Sequence, residues 1–359
     1  MNINQNNSFF IKLAFNQAAN NLGSTGPNPS VGCIVEKNGT VLSSGCTSIN
    51  GRPHAEYNAL NKKINFKNSN IYITLEPCSH YGLTPPCVNK IIRKKIKKVY
   101  FSVFDEDKRS KYLSVNKLKR KNIRVKTNIF NSYGKNFYKS YFYKKNNYLP
   151  YIDAKLAISK DYFSKNKYKK WITNKHSRKR AHLLRSSYDC IISTSKTIND
   201  DNSFLDCRIK GLEKKSPSVI IIDRNLNLRK NVKILKKIKN RKVIIFTNNF
   251  NRLKKKYFEK RGIKIFIFNK METFNDFKNI FLKVKKLGYS RILIESGLTF
   301  INFALKGKFL ENLYIFKANY KLKNNGINYS SPKIIKGLAF KKKINVNLFG
   351  DSLYKINLK

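Results

Sequence analysis

The chain has 359 residues, of which 41% are hydrophobic and 13% aromatic, so it is long enough for two folded domains and too apolar for a disordered protein. Its 75 basic and 20 acidic residues give a net charge of +55, but the lysines occur throughout the chain, which favours a solvated basic surface over a dedicated nucleic-acid face. Six scattered cysteines and the lack of a long apolar run or a secretory leader exclude a disulfide scaffold and a membrane span, and we expect a cytoplasmic protein.

The first 103 residues alternate between helical and strand patterns. Residues 8–22 predict a helix capped by Ser8, and residues 31–45 predict a β-hairpin around the turn "KNG". The segments that follow predict a helix, a strand, a helix and a strand at 53–63, 69–77, 85–96 and 97–103. This order favours a sheet with parallel pairs that is covered by helices on both faces.

The alternation is lost over residues 130–150 and resumes after Pro150. We therefore predict two domains, residues 1–146 and residues 147–359. A second alternating series again predicts an α/β fold. Its strands are expected at 151–159, 189–195, 217–223, 241–248, 263–269 and 290–297, and its helices at 173–188, 274–288 and 299–308.

The segments "PHAE" and "TLEPCSHYGLTPPC" carry the residue types of a zinc site. Catalytic zinc takes three protein ligands, typically imidazole and thiolate, and keeps one position open. His54, Cys78 and Cys87 supply this set. Glu56 lies two residues after His54 and is expected to carry protons without ligating the metal. The combination follows the H-x-E…P-C pattern of zinc deaminases.

Other residues of these segments have competing interpretations. His80 is a rival ligand, but its place in a loop two residues after Cys78 favours contact with substrate or solvent. Cys33 and Cys46 lie in the predicted hairpin and are expected to pack in the core. Two prolines open the next helix, so Cys87 is expected at a helix start, where the helix dipole lowers the pKa of a thiol.

The spacing of the two cysteines separates this chain from most zinc deaminases, because eight residues lie between them instead of the two of C-x-x-C. With "PNPSVG" and "PHAE", the segment "EPCSHYGLTPPC" resembles the deaminase half of the bifunctional riboflavin-biosynthesis deaminase/reductase family. The resemblance implies a cytidine-deaminase-like three-layer α/β/α domain and a pyrimidine substrate that carries a ribosylamino phosphate. It also implies zinc on His54, Cys78 and Cys87, proton transfer by Glu56 and a substrate contact from Asn28.

The second domain resembles the NADPH-dependent reductase of the same family, which has a dihydrofolate-reductase-like α/β fold. The resemblance rests on "KLAISKD", "WIT", "LLRSSYDCIISTSKTINDDNSFLDCR" and "ILIESGLTF". The residues that it implies for NADPH are Ala157, Trp171, Thr197, Asp201 and Gly297. The residues that it implies for the substrate are Arg185, Leu205, Arg208 and Glu295. The fixed fork of an arginine suits a ribose phosphate.

Several positions depart from the family's pattern. Tyr162 stands where the family has glycine, Ser203 where it has proline, and Arg224 where a small polar residue is common. The lysine-rich "KYKK" at 167–170 replaces a run that contains serine, and "FDEDKRSKYLS" replaces a D-P-N-P segment in the first domain. These departures leave open a protein whose reductase domain is degenerate.

We therefore expect zinc-dependent deamination of 2,5-diamino-6-ribosylamino-4(3H)-pyrimidinone 5′-phosphate, followed by NADPH-dependent reduction of the ribosyl group to a ribityl chain, as the resemblance implies. Two alternatives stay open: a monofunctional deaminase, and a zinc deaminase directed at nucleic acid. The basic residues are not interleaved with stacking aromatics, which disfavours the second alternative. We expect a small-molecule partner, no specific nucleic acid and no membrane, and the sequence leaves a homo-oligomer open.

Overall fold

The computed structural model of the chain describes residues 3–145 and 148–359. The chain divides into an N-terminal unit, residues 1–148, and a C-terminal unit, residues 149–359. The boundary predicted between residues 146 and 147 lies outside the described residues. Within the described ranges, no helix combines the length and the apolar character that crossing a bilayer requires.

The N-terminal unit is built on one mixed sheet. Its elements are α1 (Ile3–Asn20), β1 (Gly32–Lys37), β2 (Thr40–Cys46), α2 (Ala55–Leu60), β3 (Asn70–Leu75), α3 (Cys87–Arg93), β4 (Lys98–Val103), α4 (Leu113–Lys119), β5 (Arg124–Lys126), α5 (Asn131–Phe137) and α6 (Lys139–Lys145). The sheet order is β2-β1-β3-β4-β5. Strand β1 pairs antiparallel with β2 and β3, whereas β3, β4 and β5 are parallel to one another. The predicted hairpin and the predicted parallel pairs are therefore confirmed.

The predicted start of the first helix is wrong. Helix α1 begins at Ile3, so Ser8 lies inside the helix instead of capping it. Asn7 is buried in the added turn, where its side-chain oxygen accepts a hydrogen bond of 3.1 Å from the hydroxyl of Tyr72 on β3. This long-range contact outweighs the local capping signal, which is worth only about 1 kcal/mol.

Two glycines allow helices to lie directly on this sheet. A Cβ atom on Gly32 of β1 would lie 1.8 Å from the carbonyl oxygen of Ala14 in α1. A Cβ atom on Gly45 of β2 would lie 2.4 Å from the carbonyl oxygen of Ala55 and 2.6 Å from the nitrogen of Ala59, both in α2. The backbone of α2 is therefore fixed against β2 by the missing side chain.

The C-terminal unit is built on a larger sheet that is almost entirely parallel. Its elements are β6 (Tyr151–Ile158), β7 (Lys165–Asn166), α7 (Lys175–Arg185), β8 (Cys190–Thr194), α8 (Ser195–Asp201), β9 (Ser218–Ile222), β10 (Val243–Thr247), α9 (Arg252–Glu259), β11 (Lys264–Ile267), α10 (Phe274–Lys286), β12 (Arg291–Glu295), α11 (Leu298–Lys306), β13 (Asn312–Lys317), β14 (Gly326–Ile327), α12 (Lys333–Lys336) and β15 (Ser352–Asn357). The sheet order is β11-β10-β9-β8-β12-β6-β13-β15, and only the β13–β15 pair is antiparallel.

All six strands and three helices predicted for this unit are present. The interior strands β8, β9, β10 and β12 are rich in isoleucine and buried along most of their length, as expected for a parallel sheet with both faces covered, whereas the edge strand β11 is partly exposed. The carboxyl ends of β6, β8, β9 and β12 meet at one edge, where helices α8 and α11 begin. Ligands of parallel α/β sheets bind at this edge.

We predict that Gly45→Ala destabilises the N-terminal unit by about 1–3 kcal/mol, because the added methyl group overpacks the contact between β2 and α2. The measurement is thermal unfolding followed by circular dichroism, together with the zinc content of the purified protein. Ser44→Ala, at the exposed neighbouring position, is the matched control and should leave both unchanged. Equal melting temperatures for the two variants would contradict the packing argument.

Candidate active sites

Three side chains with metal-binding atoms converge in the N-terminal unit. His54 Nδ1 lies 3.6 Å from Cys78 Sγ and 3.5 Å from Cys87 Sγ, and all three ligand atoms lie within 4.8 Å of one another. A tetrahedral zinc ion with Zn–S of about 2.3 Å and Zn–N of about 2.0 Å holds such nitrogen and sulfur atoms about 3.5 Å apart. The donor set and its spacing therefore fit zinc.

Two helix starts and one strand end position these ligands. His54 is the residue before α2, and Cys87 is the first residue of α3, directly behind Pro86. Cys78 follows the end of β3. The backbone N–H of Cys87 donates to Cys78 Sγ at 3.3 Å, so an amide at a helix start stabilises the sulfur of the other ligand.

Within the Cys78–Cys87 pair the hydrogen bonds favour the negative charge at Cys78, which accepts from both the backbone N–H and the thiol of Cys87. The hydrogen bond from the Cys87 side chain lowers the pKa of Cys78 to about 4, against the opposing effect of burial. The pKa of Cys87 is raised, because Cys87 donates its proton to Cys78 and is itself buried. The helix dipole therefore acts on Cys78 through the Cys87 amide, an arrangement that the spacing of the two cysteines could not predict.

Glu56 lies in the first turn of α2 and is only 4% exposed. Burial, followed by the negative charge of Cys78, raises the pKa of Glu56 to about 7. A carboxyl group with such a pKa can both accept and give a proton near neutral pH. The predicted proton carrier is thus buried in the same helix turn that His54 precedes.

His80 and Asn28 are occupied in different ways. His80 Nδ1 lies 2.8 Å from the hydroxyl of Ser110, and His80 is not part of the metal-binding group found among the described residues. The Asn28 amide donates to the carbonyl oxygen of Gly51 at 2.8 Å, in the loop that leads to His54. Asn28 therefore positions this loop, whatever further contact it makes with a substrate.

Glu76 is a site residue that sequence reasoning missed. Its buried carboxylate accepts hydrogen bonds from the hydroxyl of Ser114 at 2.6 Å and from the backbone N–H groups of Tyr112 at 3.1 Å and Asp105 at 3.3 Å. It thereby ties the end of β3 to the loop that replaces the family's D-P-N-P segment. A glutamate at the end of an apolar strand, next to "PC", was the available signal.

A cavity of 1060 Å³ opens at the carboxyl edge of the sheet in the C-terminal unit. Pockets for small molecules and cofactors typically measure about 300–1,000 Å³, so this one has room for a large ligand. All residues predicted for cofactor or substrate in this unit line it, namely Ala157, Trp171, Arg185, Thr197, Asp201, Leu205, Arg208, Glu295 and Gly297.

One wall of the cavity suits a phosphorylated cofactor. The hydroxyl of Thr197 in α8 lies 3.1 Å from that of Ser296 and accepts a hydrogen bond of 3.1 Å from the backbone N–H of Gly297, the residue that opens α11. The first residues of α11 line the cavity, and N–H groups at a helix start favour anions. Trp171 is 47% exposed, with the Arg178 guanidinium 5.0 Å from its ring centre, and it offers a flat surface for a ring. These groups fit NADPH.

An ion pair also lines this cavity. Arg185 donates two hydrogen bonds to Glu295, at 2.5 and 2.9 Å, and Lys155 Nζ lies 3.8 Å from the same carboxylate. Burial favours the neutral form of Glu295, but the Arg185 charge and its hydrogen bonds outweigh this effect and lower the pKa of Glu295 to about 2. The guanidinium group of Arg185 is therefore held against Glu295. The side chain of Arg208 lies beside Asp206 and is 56% exposed, so part of its guanidinium group stays accessible to a ligand.

Two departures from the family's pattern have structural consequences. Tyr162 has a φ of 69°, a left-handed conformation that glycine adopts without cost, which explains the glycine of the pattern. Its ring is packed against Phe340 and below Lys317, whose Nζ lies 4.3 Å from the ring centre. The lysines at 167–170 are exposed and line the cavity, so they add positive charge there.

The comparisons with known proteins agree with both sites. The family model for the cytidine and deoxycytidylate deaminase zinc-binding region matches residues 4–103, and the RibD C-terminal domain model matches residues 150–320. The riboflavin biosynthesis protein RibD of Aquifex aeolicus is 33% identical over 312 residues, which cover 86% of each chain. The RibD of Bacillus amyloliquefaciens is 32% identical over 230 residues, which cover 63% of this chain and 62% of that protein.

Solved structures show the same fold. The Thermotoga maritima diaminohydroxyphosphoribosylaminopyrimidine deaminase/5-amino-6-(5-phosphoribosylamino)uracil reductase superposes with a TM-score of 0.83 over 99% of both chains, at 24% identity. Acinetobacter baumannii RibD gives a TM-score of 0.82 over 99% of both chains, at 23% identity. The expected fold class, a cytidine-deaminase-like domain followed by a dihydrofolate-reductase-like domain, is confirmed.

We predict that Arg185→Gln destabilises the C-terminal unit by about 3 kcal/mol, because it removes both hydrogen bonds and the nearer counter-charge of the buried Glu295 and leaves only Lys155 at 3.8 Å. The depressed pKa of Glu295 contributes stability above its ordinary value of 4.5, and this contribution is lost as the pH falls towards 2. In the variant the effect of burial on Glu295 is no longer opposed by Arg185, so ionisation of Glu295 costs more, the loss of stability is larger at neutral pH, and acid relieves it.

The fluorescence of Trp171, the only tryptophan of the chain, reports urea unfolding of this unit. The control is the double variant Arg185→Gln, Glu295→Gln, which removes the buried carboxylate together with its guanidinium partner. It leaves only Lys155 without its counter-charge at 3.8 Å and should recover part of the lost stability. A double variant that is less stable than Arg185→Gln alone would contradict this account.

Proposed function

Because the chain belongs to the bifunctional riboflavin-biosynthesis deaminase/reductase family, we propose that His54, Cys78 and Cys87 hold its catalytic zinc and that Glu56 moves the protons of deamination. The protein is a bifunctional enzyme: its first domain deaminates 2,5-diamino-6-ribosylamino-4(3H)-pyrimidinone 5′-phosphate, and its second domain reduces the ribosyl group with NADPH. The observation that carries the residue assignment is the 3.5–3.6 Å spacing of the imidazole nitrogen and two sulfurs.

In the deaminase domain, zinc supplies Lewis acidity towards water when it is bound. Glu56 accepts the proton of the attacking water and delivers it to the amine that leaves as ammonia. Its burial supports this role, because burial raises the pKa of a carboxyl group towards neutral pH and so allows Glu56 both to accept and to give a proton. The hydrogen bonds of Glu76 to Ser114 and Tyr112 hold the loop after β4 in place beside Cys78.

In the reductase domain, NADPH supplies a hydride when it is bound. We assign its phosphates to the start of α11 at Gly297 and to Thr197, and its nicotinamide side to Trp171, Ala157 and Asp201. Arg208 and Leu205 face the substrate together with the Arg185–Glu295 pair. Lys155, whose pKa burial lowers, is suited to giving a proton as the ribose ring opens.

We also propose a cellular compartment and a class of partner for this protein. The protein acts in the cytoplasm on a small phosphoribosyl pyrimidine, without a specific nucleic-acid or membrane partner. All six cysteines are free thiols, which supports a reducing compartment. The alternative of a deaminase directed at nucleic acid would use the net charge of +55, and RNA binding that persists at high salt would favour it.

We predict that Glu56→Gln keeps about one zinc per chain and loses at least ~10²-fold in the rate of ammonia release, because glutamine cannot carry the proton. Elemental analysis and an ammonia assay measure the two quantities. NADPH oxidation with the deaminated substrate is the internal control and should be unchanged, since Glu56 lies in the other unit. A variant that deaminates at the normal rate would remove Glu56 from the mechanism.

We predict that Cys87→Ala loses both zinc and deamination, because two ligands hold the metal far more weakly than three. The same protein should still oxidise NADPH when it is given the deaminated substrate. Retention of full zinc would overturn the ligand assignment. Absence of NADPH turnover in the wild-type protein would instead favour a monofunctional deaminase with a degenerate reductase domain.

A further inference from the structure

Arg52 links the two loops that carry the metal ligands. It lies two residues before His54, and its Nη1 is 3.4 Å from His54 Nε2. The same nitrogen donates a 3.0 Å hydrogen bond to the hydroxyl of Thr84, in the loop between Cys78 and Cys87. Arg52 is half-buried, so its guanidinium group lies at the rim of the zinc site without being sealed inside it.

This guanidinium group lacks a carboxylate partner in the described part of the chain. Other cations near the site are committed: Arg109 pairs with Asp107 at 2.7 Å, and Lys117 Nζ donates to the carbonyl oxygen of Ser79 at 2.6 Å. The loop "SHYGLTPP" between the two cysteines contains no lysine or arginine. Arg52 therefore supplies the positive charge of this rim, and a half-buried cation that lacks a counter-charge favours an anionic ligand.

Metal binding changes what Arg52 can contact. His54 Nδ1 faces both sulfurs, so when it ligates a metal the ring proton is carried by Nε2. Nε2 and the guanidinium nitrogen are then both donors and cannot hydrogen-bond to each other. The hydroxyl of Thr84 accepts a hydrogen bond from one guanidinium N–H of Arg52. The other guanidinium N–H groups are then able to donate to a bound ligand.

We propose that Arg52 binds the 5′-phosphate of the deaminase substrate and thereby sets the preference for the phosphorylated pyrimidine; this inference rests on the proposed function of the N-terminal domain. A guanidinium fork binds a phosphate through paired hydrogen bonds, which a single ammonium group cannot match. Arg52 lies beside His54 at the rim of the metal site, so a phosphate on its guanidinium group would belong to a molecule that occupies this site. Thr84 orients the fork from the opposite loop.

The test compares Arg52→Gln with the wild-type full chain on two substrates, the natural phosphate ester and its dephosphorylated counterpart. We expect kcat/KM for the phosphate ester to fall by about 10- to 100-fold, as for the loss of a hydrogen bond to a charged group, with little change for the dephosphorylated compound. Zinc content should stay at the wild-type level. Calorimetric titration with ribose 5-phosphate in the Arg208→Gln background, which weakens the second phosphoribosyl site in the C-terminal unit, should show the same loss of affinity.

Arg93→Gln is the matched control, because it removes one positive charge from an exposed position on the helix that carries Cys87. It should keep the preference for the phosphate ester, and Arg52→Lys should recover part of it. Loss of zinc from Arg52→Gln, an equal loss on both substrates, or an equal effect of Arg93→Gln would each overturn the proposal. A wild-type protein that does not deaminate would instead overturn the proposed function.

Discussion

The chemistry of the N-terminal domain depends on holding one imidazole and two sulfurs at a fixed spacing with short helices. Helix α2 has six residues and α3 has seven, and helices of this length have little stability of their own. Their positions come from the sheet instead. The missing side chain of Gly45 lets α2 lie directly on β2, and the end of β3 places Cys78 against the start of α3. The positions of the three metal ligands therefore depend on these packing contacts.

Both domains use the ends of buried strands for their reactive groups. Cys78 follows β3, and Glu295 ends β12. In each case an apolar run fixes the backbone, and polar groups are added where the strand leaves the core. The buried charges are then neutralised locally, Cys78 by bonds from Cys87 and Glu295 by Arg185, so that the core does not carry an unpaired charge.

The isoleucine-rich strands and the metal motif could be predicted from the sequence, because both are local patterns with strong chemical constraints. Sequence patterns missed α4, β5, α5, α6, β7, α8, α9, β13, β14, α12 and β15. Most of these elements are short or lie in lysine- and asparagine-rich segments with weak periodicity, and they form through long-range contacts. The same reason explains the wrong cap at Ser8 and the thiolate at Cys78. Glu76 was missed because its partners, Tyr112 and Ser114, lie far along the chain.

The exposed lysines at 167–170 line the reductase cavity, together with Lys165 and Lys196. A polyanionic dinucleotide that approaches this cavity is attracted before it touches the protein, because like charges grouped at a cleft focus the field. Dissolved ions weaken such attraction beyond a Debye length of about 8–10 Å. The speed with which this protein captures its cofactor is therefore tied to the ionic strength of its surroundings, independently of the contacts that hold the cofactor once it has arrived.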